Sequence, residues 1–393
     1  MTELVRSHGL VARVASATPH LLVALFTVQL AGCAAGDSTE LGEDTQDLSS
    51  SDRRAVYVMD NVAARNAVIR YRRSETGRLD HVGAFPTGGL GTGAGLGSQG
   101  SIVLASNGRW LYVVNAGSDE LSSFEVRADY LVLRDVIRSG GANPISLTVH
   151  DDLLYVVNAG RDDAPANIAG FRIDDGRLTA IDGSSRPLSA AAAGPAQIEF
   201  DPSGSFLVVT EKATNQLTTY AIDEWGKPGA AVVTPSHGQT PFGFAFDDRG
   251  TLIVSEAFGG APGGSALSSY RLDPGGVPQL ISGSVPTEQT AACWVAIGRG
   301  DRDAFTTNTG SNTVSGYAID DEGSIERFDD GGATASVGAG PTDMAFSENR
   351  KLLFVLNAAD HSIEILREDS DGTLDVRDRE PGLPASAVGM AAY

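Results

Sequence analysis

The chain of 393 residues has only two cysteines, Cys33 and Cys293, so no disulfide framework carries the fold. Its six histidines are scattered and none stands in a cluster with zinc-ligand spacing, while DSDGTLD at residues 369–375 is far too short for a calcium loop. No metal and no cofactor is therefore expected. A GxSxG nucleophile elbow is also lacking. Lys and Arg total 29 against 50 Asp and Glu, a net charge of −21. That balance argues against a nucleic-acid partner, because neutralising phosphates needs clustered cations. The N-terminal apolar run LLVALFTVQL, residues 21–30, is too short to cross a bilayer.

That run does fit the core of a secretory leader, since Arg6 and Arg13 precede it and small residues follow. It ends in Leu30-Ala31-Gly32-Cys33, which is similar to a bacterial lipobox. The resemblance implies cleavage after residue 32, a lipid on Cys33 and display at the cell envelope. Ordinary secretion, with Cys33 inside a small-residue cleavage site, is the plainer alternative. Residues 33–54 are polar and acidic without an apolar period and read as a flexible tether. Cys293, left unpaired, reads as a small buried packing residue.

Glycine is abundant at 47 residues, and apolar content is 41%, the composition of a turn-rich globular body. From residue 55 the chain repeats. The short apolar segments VYVMD, LYVVN (twice), LVVTE, LIVSE, AFTTN and LFVLN end at Asp60, Asn115, Asn158, Glu211, Glu256, Asn308 and Asn357. Their spacing of roughly fifty residues, with strand-like content, selects propeller blades. A second alternating strand follows each, then a turn such as DDGRL or DPGGV, then a strand that often opens with proline: NPISLTV, GPAQIEF, TPFGFAF, GPTDMAF. The last such strand, ASAVGMAAY, is C-terminal, and the first repeat has none of its own. The sequence thus predicts an all-β, seven-bladed β-propeller over residues 55–393, its ring closed by the C-terminal strand.

One stretch invites a different reading. GLGSQG at residues 95–100 fits G-x-G-x-x-G, but two strands follow it and no helix, so it is not a dinucleotide cradle. It reads instead as a tight inter-blade crossing at the channel mouth.

Candidate site residues come from the repeat. The segment-ending residues become quasi-equivalent near one face. Asn115 and Asn158 suit local backbone bonding, whereas Glu211 and Glu256 break the pattern and are candidate acid–base groups. A salt bridge such as Glu211 with Lys212 is the alternative. Gln99, Gln197 and Asp343, at the openings of inner strands, are candidates to bind a ligand in the channel. Phe242 and Trp294 would wall it, and His237 lies in a loop near the same mouth.

Phrases such as GRWLYVVNAGS, GPAQIEFDPSGSFLVVTEKATN and TPFGFAFD resemble the lactonase family of seven-bladed propellers, over essentially residues 55–393. The resemblance implies metal-free chemistry on a lactone in the central channel, with Glu256 falling on a glutamate position of that family. Ala196 and Gln197, and Phe242 and Gly243, stand where its enzymes carry histidine or arginine. Two readings stay open. One is a lactone hydrolase using Glu256, Glu211 or His237, with Gln99 and Gln197 stabilising the oxyanion. The other is a non-catalytic propeller that binds a small ligand, glycan or protein partner, as a monomer.

Overall fold

The computed structural model describes residues 54–393 apart from position 162. The leader, the Cys33 lipidation site and the tether up to residue 53 lie outside the described residues. Seven antiparallel sheets of four strands, two of them with a short additional strand, follow one another as blades. Blade 1 is made of Ala55–Met59, Ala67–Arg73 and Leu79–Pro86, and its innermost strand is the C-terminal Val388–Ala392, paired to Ala55–Met59. Strand pairing therefore closes the ring and covers the inner edge of Ala55–Met59. The seven-bladed propeller expected from the repeat is the fold of the protein.

Each blade buries the second strand most deeply. Trp110–Asn115, Thr251–Glu256 and Leu352–Asn357 are buried at every position, because a middle strand is covered by the blades on both sides and reads as a continuous apolar run. Outer strands such as Leu374–Pro381 keep one apolar anchor, Leu374, and expose charged residues. Tyrosine and phenylalanine from successive blades, among them Tyr57, Tyr112, Phe305 and Phe354, fill the seams and are fully buried.

The inner strands carry the feature that shapes the channel. Pro144–His150, Pro195–Phe200, Pro241–Phe246, Ala292–Ile297 and Pro341–Phe346 pair with the last residue of the second strand and then slip register immediately. The slip is a β-bulge, which bends a strand and re-aims its side chains. Ala196, Phe242, Cys293 and Trp294 sit inside these bulges. The residues at which pairing resumes are Ser146, Gln197, Phe244, Val295 and Asp343. A proline opens most of these strands at no cost, since the first position need not donate to the ladder.

Candidate functional site

A cavity of about 330 Å³ runs along the channel axis. It extends from Gln99 and Gly100 to Leu104, Val149, Phe346 and Ala392 at the far ends of the inner strands. Most of the residues that line it are apolar, from the inner strands of blades 1, 2, 3, 4 and 7, but polar atoms make up the larger part of its exposed wall. Two carboxyl groups stand in it, Glu199 and Asp343. Glu199 follows Gln197 by two positions on one strand, so both face the channel while Ile198 and Phe200 join the core between blades 3 and 4. Burial pushes the Glu199 carboxyl up to about 8, opposed by the hydrogen bond that Gln197 Nε2 donates to its Oε2 at 2.7 Å. Burial raises Asp343 well above the carboxylate range, opposed by N–H donation from Met344 at 2.8 Å and Met390 at 3.0 Å. Both groups carry perturbed protonation in a cleft, the usual mark of acid–base candidates. Among the described residues, no Arg, Lys or His lines this cavity.

The segment Gly97–Gly100 closes the channel at the face where the inner strands begin. Gln99 Nε2 donates to the Val295 carbonyl at 2.7 Å, and Val295 N–H returns a bond to Gln99 Oε1 at 2.9 Å. Val295 belongs to blade 6 and Gln99 leads into blade 2, so this amide spans the channel. Gln99 N–H bonds Ala196 O of blade 4 at 3.1 Å, and Trp294 Nε1 donates to Ser98 O at 3.0 Å. Lys212 Nζ donates to Gly97 O and lies 4.7 Å from the centre of the Phe242 ring, which itself packs 5.0 Å from Trp294. This apolar setting lowers Lys212 to about 8 and raises the Cys293 thiol to about 11, each chiefly by burial. Gly100 takes φ +78°, and a Cβ there would come within 3.0 Å of Ser146 Oγ. The glycines of GLGSQG serve a backbone plug.

Asn115, Asn158, Glu211 and Glu256 do something else: each grips the crossover arriving from the preceding blade. Asn115 Oδ1 accepts from Thr87 Oγ1 at 2.7 Å and from Asn66 Nδ2 at 2.9 Å, and its Nδ2 donates to Ser122 Oγ at 2.7 Å. Asn158 Nδ2 donates to Ser139 O at 3.3 Å. Glu211, fully buried, accepts from Ser189 N–H at 3.0 Å, Thr214 Oγ1 at 2.7 Å, Thr218 Oγ1 at 2.6 Å and the Ser189 hydroxyl. Glu256 accepts from Gly238 N–H at 2.8 Å, Ser284 Oγ at 2.6 Å and Ser268 Oγ. A side chain at Gly238 would place its Cβ 2.0 Å from Glu256 Oε2. Lys212 forms no ion pair with Glu211; it is spent on the plug. His237 is exposed, and its ring lies against Gly283 of an outer strand.

The structure therefore brings Gln99, Gln197 and Asp343 to one cavity and holds Phe242 and Trp294 against the plug. It does not bring Glu211, Glu256, His237, Asn115 or Asn158 there. The amides of Gln99 and Gln197 are committed to backbone partners, Gln197 to both N–H and C=O of Phe244. Glu199 escaped the sequence reading, although its two-residue spacing from Gln197 in PAQIEF was a usable signal.

Fold and cavity together define a seven-bladed propeller with a small acidic channel site. The family described as lactonase, 7-bladed β-propeller, matches residues 48–186 and 166–257, more than half of the chain. The chain belongs to that family. Among solved structures it is similar to a putative 6-phosphogluconolactonase from Bacteroides fragilis, with 16% identity, TM-score 0.67, and coverage of 88% of this chain and 99% of that one. It is also similar to a periplasmic gluconolactonase from Pseudomonas aeruginosa, at 16% identity, TM-score 0.66, covering 86% and 98%. A protein from Lactobacillus plantarum aligns at 15% identity and TM-score 0.69, again covering 86% and 98%. At such identities the likeness is one of fold. No curated protein matches the chain.

Proposed function

We propose that the protein hydrolyses an uncharged lactone in its central channel, with Glu199 and Asp343 as the proton-transferring pair. The observation that carries this reading is the presence of both carboxyls in one cavity large enough for a small cyclic ester. Glu199, at about 8, is protonated at neutral pH and suits the general acid. Asp343, which burial raises well above the ordinary carboxylate range, is held in place by the Met344 and Met390 N–H donors and acts as the base from its ionised fraction. Water would attack the carbonyl carbon and lose its proton to Asp343. The ring C–O bond would then break, with the departing oxygen taking the Glu199 proton to give a hydroxy acid.

The cavity also argues for the substrate's charge. A phosphorylated lactone would meet two carboxyls and no cation there, inside a chain of net charge −21. Turnover of glucono-1,5-lactone and aliphatic γ- and δ-lactones, lost in both Glu199→Gln and Asp343→Asn, tests the proposal. Preference for the 6-phosphorylated lactone would contradict it.

The reading of a binding propeller without turnover draws on one specific fact: the Gln99 and Gln197 amides are already engaged with Val295 and Phe244, and Gln197 Nε2 also with Glu199, leaving at most one side-chain amide N–H, on Gln99, for an oxyanion. Ligand-induced thermal stabilisation without product formation would favour it. From the leader we also infer envelope display through a lipid on Cys33. Detergent-phase partitioning of the native chain, lost in Cys33→Ser, is the expected result.

A further inference from the structure

A second cavity, of about 510 Å³, lies on the face where the inner strands end, at the junction of blades 6, 7 and 1. It shares no residue with the channel cavity. We propose that it is a binding site for a phosphate-bearing anion. Five cationic side chains converge on it from distant parts of the chain. Arg73 ends the third strand of blade 1, Arg299 follows the inner strand of blade 6, and Lys351, Arg367 and Arg377 come from blade 7.

These cations differ in what already holds them. Arg73 is fixed through Nε and Nη2 on the Tyr393 main-chain oxygen at 3.2 and 2.8 Å. Arg367 and Arg377 pair with Asp369 at 3.3 Å and Asp375 at 2.9 Å, both exposed pairs that water weakens. Among the described residues, the side-chain cations of Arg299 and Lys351 donate no hydrogen bond and form no ion pair. Two cations that no acid pairs therefore remain available to an anion in one cavity, beside three whose partners are a main-chain oxygen or exposed carboxylates.

The acids of the cavity are Glu75 and Glu368. Glu75 is paired with Arg54 at 2.9 Å. The Glu368 carboxyl is buried and accepts from the Arg299 main-chain N–H at 3.0 and 3.2 Å. Burial and the adjoining Asp303 carboxyl push it up to about 8, so at neutral pH the negative charge of this pair rests mainly on Asp303, outside the cavity lining. The cavity is electropositive on an acidic protein, and arginine forks match phosphate oxygens in shape as well as charge.

The test is calorimetric titration of the full chain with inorganic pyrophosphate, against chloride at matched ionic strength, beside an Arg299→Gln/Lys351→Gln double variant. Arg299→Gln and Lys351→Gln are exposed or half-buried changes, and an unchanged melting temperature shows that the variant folds. The expected result is saturable binding that weakens roughly tenfold or more in the double variant, with turnover of a neutral lactone unaltered. No binding by the native chain, or equal binding by the variant, would overturn the proposal. Flotation with phosphatidylglycerol vesicles, lost in the variant, would assign the phosphate to a lipid headgroup; pyrophosphate binding without flotation would assign it to a soluble ligand.

Discussion

Replacing Glu199 by glutamine removes an ionisable group from the channel wall while keeping an oxygen to accept the Gln197 bond. The folded carboxyl titrates near 8 against an ordinary 4.5. Below pH 4.5 both folded and unfolded chains hold the proton, and the shift has no effect. As pH rises from 4.5 to 8, only the unfolded chain releases it, so the native state loses stability by about 1.4 kcal/mol per pH unit. The full shift sets a ceiling of about 5 kcal/mol, trimmed because Glu199 is only half-buried by its neighbours. Glu199→Gln should therefore become more stable than the native chain as pH rises, by a few kcal/mol at pH 8.5 and by almost nothing at pH 4. Urea unfolding of both proteins at pH 4, 6 and 8.5 measures this, since all other titrations cancel in the difference. A stability difference that does not change with pH would refute the assignment of a raised Glu199.

Other expectations concern the clamps and the plug. Glu211→Ala leaves the Ser189, Thr214 and Thr218 donors unpaired in a buried seam and should cost roughly 2–4 kcal/mol, read as a lower urea midpoint, while turnover per folded molecule persists. Gly238→Ala forces a methyl group against Glu256 and should cost about 1–3 kcal/mol, partly relieved when Glu256→Asp shortens the clashing carboxylate. Gln99→Ala removes the paired bonds across the channel to Val295. It should speed hydrogen exchange at the Val295 amide about fivefold, for a loss of about 1 kcal/mol. Unchanged exchange would show that the plug does not depend on this amide.

The propeller was legible because a repeat near fifty residues and a C-terminal strand with no partner of its own leave little topological freedom. The irregular glutamates were legible as irregularities, but their partners were not. Glu211 bonds Ser189 and Glu256 bonds Gly238, residues of the preceding crossover, and a repeat pattern does not reveal which crossover atom meets which strand end. The plug is a stronger case: Gln99 and Val295 lie far apart in the chain, and no local pattern marks an amide that crosses a channel. Trp294 read as a wall, yet its indole N–H holds Ser98 O. Glu199 stands neither at a segment end nor at the opening of its strand, and only the alternation of PAQIEF places it beside Gln197.

The central claim is turnover of an uncharged lactone in the channel. Steady-state hydrolysis by the native chain, Glu199→Gln, Asp343→Asn and the Glu211→Gln/Glu256→Gln double variant tests it most directly. The account predicts loss of at least 10²-fold in kcat for each channel variant and near-native kcat for the folded clamp variant. Full activity in the channel variants, with loss confined to Glu211 and Glu256, would contradict it.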